Sequence, residues 1–97
     1  MLNNKQVKYL KSLANTLESK YQIGKNEITE NTISLLDKAL IKHELIKVSV
    51  NTSVAEEKKY FALQLKEALK CEIVQVLGNT ITLFRKNLKD GKIHLPN

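Results

Sequence analysis

Gly24 and Lys25 stand where a short strand signal over 20–24 runs into a turn, just before Thr29, a residue type that opens helices. Without a Cβ, glycine lets a ligand approach the main chain closely. Amides at the start of the next helix point outward with partial positive charge, and Lys25 adds a full one. Such a junction suits phosphate. The chain has 97 residues and a net charge of +6, so the expected phosphate is nucleic-acid backbone rather than a free nucleotide. Neither a GxxxxGK[ST] loop nor a GxGxxG fingerprint is present.

Other chemistries find little support. Cys71 is the single cysteine, so an internal disulfide is excluded and a reducing compartment fits. It reads as a small packing residue without a base beside it. His43 precedes a strand and reads as a helix-end residue, and His94 has no ligand partners nearby in sequence. Glu56-Glu57 and Glu27/Glu30 complement helix N-termini. The expectation is a non-enzymatic protein with no metal, cofactor or small-molecule substrate. No apolar run approaches the roughly 20 residues of a membrane span, and Met1–Lys5 lacks a signal-peptide core. The reading is cytosolic, without membrane, and monomeric.

Charge is uneven along the chain. Residues 1–25 carry five lysines against Glu18, a net of +4. Residues 84–97 carry Arg85, Lys86, Lys89 and Lys92 against Asp90, a net of +3, while the stretch between is −1. If the fold brings the ends together, they make a polyanion-binding surface.

The elements that must position these groups follow from apolar spacing. Residues 4–19 read as a helix with Val7, Leu10, Ala14 and Leu17 on its buried stripe and Lys5, Lys8 and Lys11 on another flank. A strand over 20–24 and a loop follow, then a helix over 29–43 capped by Thr29, with Ile33, Leu36, Ala39 and Leu40 inward. Leu45–Val50 alternates as a half-buried strand. Ser53 and Glu56 form a capping box for a third helix with stripe Phe61, Leu65, Ala68 and Leu69. Glu72–Leu77, the Gly78-Asn79 turn and Thr80–Lys86 make a hairpin. The tail is irregular, with Ile93-His94-Leu95 packing down. The expected fold is one α/β or α+β two-layer domain over residues 1–97: α-β-α-β-α-β-β, a mixed four-stranded sheet backed by helices.

With this order in place, the chain resembles the CRM domain, named for chloroplast RNA splicing and ribosome maturation, and its stand-alone bacterial YhbY-like members. The matching stretches are Lys5–Ala14, Gln22–Asn26, Thr29-Glu30-Asn31, His43–Val48, Glu72–Gly78, Leu83-Phe84-Arg85 and Ile93–Pro96. The resemblance implies a fold like the C-terminal domain of translation initiation factor three. It also implies RNA binding in maturation of the large ribosomal subunit, and a GxxG loop that clamps the nucleotide backbone, as in KH domains.

In this chain the loop reads Gly24-Lys25-Asn26-Glu27, so Glu27 replaces the second glycine and brings a negative charge. Asn26 can take a left-handed angle in its place. A second departure, Leu17-Glu18-Ser19-Lys20 where a proline is common, is expected to affect only the helix end. The reading is an RNA-binding protein using Gly24, Lys25 and Asn26, a lysine ridge of Lys5, Lys8 and Lys11, and Arg85 with Lys86 closing the track. An internal ion pair is the competing reading for Arg85. Tyr9 and Tyr21 could stack on bases, with partial core packing as the alternative, and Lys47 reads as structural or neutral. The rival function is a protein-docking module on a ribosomal protein or assembly factor.

Overall fold

The computed structural model describes residues 2–23, 28–51, 55–89, 91 and 93–96. The elements are α1 (Asn4–Ala14), β1 (Tyr21–Ile23), α2 (Glu30–His43), β2 (Leu45–Val50), α3 (Ala55–Leu69), β3 (Glu72–Leu77) and β4 (Thr80–Phe84). This is the expected order, with an α+β fold around a mixed four-stranded sheet. The sheet order is β1-β2-β4-β3, with β1 and β2 parallel and β4 antiparallel to both its neighbours. The hairpin strand therefore slots between β2 and β3. These two run the same way but do not touch, whereas a simple strand–helix–strand reading would make them neighbours.

Alternation along β2 sends its side chains into two separate cores. Ile46, Val48 and Val50 join Leu36, Leu40, Leu65, Ile81 and Leu83 against α2 and α3. Leu45 joins Phe84, Val74, Leu10 and Ala14 under α1. The helices thus lie on both faces of the sheet, and the expected two layers become three. Ile93 and Leu95 pack on the α1 side, so the tail completes that layer, as the apolar Ile93-His94-Leu95 pattern predicts. Ile73 and Gln75 pair with the consecutive residues Leu83 and Thr82. Val74 is therefore an extra residue in β3, a bulge that turns it toward the α1-side core.

Local chemistry sets the helix bounds. At α1, Asn3 accepts from the Gln6 amide at 2.8 Å while the Gln6 side chain accepts from the Asn3 amide at 3.1 Å, a reciprocal cap. The helix ends at Ala14 rather than residue 19. Asn15 and Thr16 are weak helix formers, and the Thr16 hydroxyl donates to the Leu13 carbonyl at 2.9 Å. Leu17 consequently leaves the stripe and is 38% exposed. Thr29 caps α2 by accepting from the Thr32 amide at 3.2 Å. The proposed cap Ser53 lies outside the described residues. On α3 the buried arc is Phe61, Ala62, Leu65 and Leu69, and Ala68 is exposed. The arc is rotated toward Ala62, because α3 nestles against both α2 and the sheet. β4 ends at Phe84, two residues short of the expected limit. Gly78, at φ +58°, makes the two-residue turn between β3 and β4.

Candidate nucleic-acid interface

Lys5, Lys8 and Lys11 are all exposed on α1, in the outer layer of the α1 side. The helix itself, Asn4–Ala14, contains no acidic residue. Among the described residues none of the three lysines forms an ion pair. Tyr9, 37% exposed, shares this outer surface. Tyr21 is half-buried against the α2/α3-side core, which is the partial packing weighed for it. Gly24, Lys25 and Asn26, and Glu27 after them, lie outside the described residues. The loop is bracketed by Ile23 at the end of β1 and by the Thr29 cap of α2.

Arg85 behaves differently. Its Nη1 sits 2.8 Å from Asp37 Oδ1 and donates to the Leu69 carbonyl at 2.8 Å, and its Nη2 donates to the Asp37 carbonyl at 3.1 Å. The guanidinium thereby ties β4 to α2 and to the end of α3. This is the internal pair weighed against a phosphate contact. Phe84 faces α1, so Arg85 faces the opposite layer, and the fold does not bring it to the lysine ridge. Lys86 is exposed and borders a shallow depression with Ile41, Leu88 and Lys89. The ends of the chain do meet, since the Gln6 side chain donates to the Pro96 carbonyl at 3.1 Å.

A residue the sequence reading passed over, Glu44, organises the tail. It is fully buried and holds φ +63°, a conformation L side chains rarely adopt. Its Oε2 accepts from the Asn87 amide at 2.7 Å and its Oε1 from the Ile93 amide at 2.8 Å. Its own carbonyl accepts from the Arg85 amide at 2.9 Å. Two charge-assisted bonds to main-chain donors offset the burial of the carboxylate. An acid at a helix-to-strand junction looks ordinary in sequence, so its burial carried no signal.

The pinned tail helps wall a groove of about 560 Å³. Leu13, Leu17 and Ile93 give it apolar sides, while Lys20, Lys47 and His43 stand among its polar lining residues. Lys47 Nζ donates to the Leu17 carbonyl at 3.3 Å, bridging β2 to the segment after α1. Cys71, by contrast, is buried, and its thiol is pushed up to about 11 by burial, which the nearby Arg85 charge only partly offsets. That favours the unreactive protonated form. Among the described residues no group of three His, Cys, Asp or Glu is placed to hold a metal. No helix there is long and apolar enough to cross a membrane.

The fold is thus an α+β domain with an exposed lysine ridge on its α1 face. The family model of the CRS1 / YhbY (CRM) domain matches residues 2–85, and the chain belongs to this family. The probable RNA-binding protein YqeI of Bacillus subtilis is 38% identical over 96 residues, spanning 99% of this chain and 100% of its own. An RNA-binding protein of Haemophilus influenzae is 35% identical over 95 residues, 98% of this chain and 95% of its own. The solution structure of a hypothetical Staphylococcus aureus protein, a candidate RNA-binding protein, superposes with a TM-score of 0.86 at 43% identity. It covers 99% of this chain and 100% of its own.

Proposed function

We propose that this protein binds RNA without catalysing a reaction on it, through the outer face of α1 and the Gly24-Lys25-Asn26 loop. The observation that carries this reading is the exposed trio Lys5, Lys8 and Lys11 on a helix devoid of acids. The names of the full-length relatives support it. The target we infer is structured ribosomal RNA of a large-subunit precursor, read mainly by shape and backbone. Lys86, which borders Ile41 of α2, and Arg85, which serves the fold, are left out of this surface.

The test is affinity for a large-subunit ribosomal RNA fragment across a salt series. Each phosphate neutralised on a duplex contributes about −0.9 to the slope of log affinity against log salt. Replacing Lys5, Lys8 and Lys11 together by Ala is expected to flatten the slope by about 2 to 3. Lys25→Ala is expected to flatten it by about 1. A slope untouched by both would overturn the assignment. A docking role for protein has one observation in its favour, the edge strand β3, where Val76 and Leu77 are exposed. It predicts no affinity for naked RNA at low salt.

A further inference from the structure

The groove beside α1 sits at an unusual place in the sheet. β1 pairs only with Val48, Ser49 and Val50. The earlier half of β2, Leu45 to Lys47, therefore has no strand on that side among the described residues. The Arg85 amide bonds the Glu44 carbonyl, which sets the alternation of the antiparallel ladder. Ile46 and Val48 then turn their main-chain groups toward β4. Leu45 turns both of its own toward the groove and Lys47 its amide, while the Lys47 carbonyl faces the Tyr21 amide at the start of β1.

We infer that this groove receives one unstacked base of single-stranded RNA, held between the apolar walls and read by the main-chain edge of Leu45 and Lys47. The inference rests on the RNA-binding reading above and specifies which part of the RNA enters the fold. Four observations converge on it. The volume lies within the roughly 300–1,000 Å³ of small-ligand sites. Leu17 and Ile93 offer apolar side chains for a ring to pack against. The free edge consists of both main-chain groups of Leu45 and the Lys47 amide, stopped by β1 at one end and by α2 at the other. Its few donors and acceptors match those on a base edge. Lys20 and Lys47, set against Glu18 alone among the acids there, supply charge for the flanking phosphates. Glu44 contributes as a positioning residue, because its carboxylate holds the Ile93 amide and with it one wall.

The experiment compares a short single-stranded RNA with an abasic oligonucleotide of the same length and backbone. The intact strand is expected to bind about tenfold tighter, the size of burying part of one base's apolar faces. Backbone amide signals of Leu45, Lys47 and Ile93 are expected to shift with it and not with the abasic strand. Leu17→Ser, a neutral change on an exposed wall, should remove most of the difference while leaving abasic binding intact. Equal affinity for the two strands would overturn the base site and leave backbone binding standing. Failure of both to bind would overturn the RNA reading and this inference together. Shifts at the groove produced by an acidic peptide but by neither oligonucleotide would assign the groove to a protein partner.

Discussion

The two faces of the sheet are tied down by opposite charges, with opposite consequences for function. On the α2/α3 side a cation, Arg85, is consumed by the fold: Asp37 and the Leu69 carbonyl occupy its fork. On the α1 side an anion, Glu44, is consumed in holding the tail. The positive charge of α1 therefore stays in solvent. A cation used as an internal tether is lost to phosphate, whereas an anion used as one removes a competing negative charge from the surface. The same net charge of +6 thus becomes a lopsided surface.

Breaking the anionic tether should have the larger effect on stability. Glu44→Ala leaves the Asn87 and Ile93 amides without their acceptor, and unsatisfied buried donors cost about 1–3 kcal/mol each. A loss of about 2–4 kcal/mol is expected in denaturant unfolding, with the Ile93 amide losing its hydrogen-exchange protection first. If that amide stays protected, the carboxylate is not what holds the tail. The cationic tether is partly open to solvent, with 23% of the Arg85 side chain and 47% of the Asp37 side chain exposed. Screening brings Arg85→Ala down to about 1 kcal/mol. The sharper reading of this variant is in binding, where the salt slope for RNA should stay unchanged. A slope flattened by about 1 would return Arg85 to the phosphate track.

The smallest effect concerns Cys71. A thiol raised to about 11 in the fold, from an ordinary 9.0, keeps its proton longer than in the unfolded chain. Its contribution is fully present below pH 9 and is lost as pH rises toward 11. Cys71→Ala should remove that component of the alkaline decline relative to the parent protein. In the folded protein at pH 8, thiol reagents are expected to label Cys71 only through unfolding. Rapid labelling would place the thiol outside the core of the α2/α3 side.

Much of the scaffold was legible because it is written in short-range spacing. The bounds of β2 and β3, the Gly78-Asn79 turn and the Thr29 cap depend on residues a few positions apart, and all appear as read. The family, too, was visible in the ordered stretches from Lys5 to Arg85, which the family model spans. Where local signals conflicted, the reading slipped. Leu17 continues the apolar period of α1, but Asn15 and Thr16 end the helix before it. Ala68 fits the stripe of α3, and only the way α3 lies between α2 and the sheet selects Ala62 instead.

Composition and spacing alone determined that this chain is basic, folds as α+β and carries a lysine ridge on its first helix. Those features follow from propensity, periodicity and charge, which need no knowledge of long-range contacts. Tertiary structure alone decided that α1 crosses to the opposite face of the sheet, that Arg85 finds Asp37 48 positions away, and that Glu44 is buried under the tail. It also left half of β2 uncovered beside a groove. Partner choice across such distances depends on which surfaces the packing brings within hydrogen-bond reach, and a one-dimensional pattern does not contain that information.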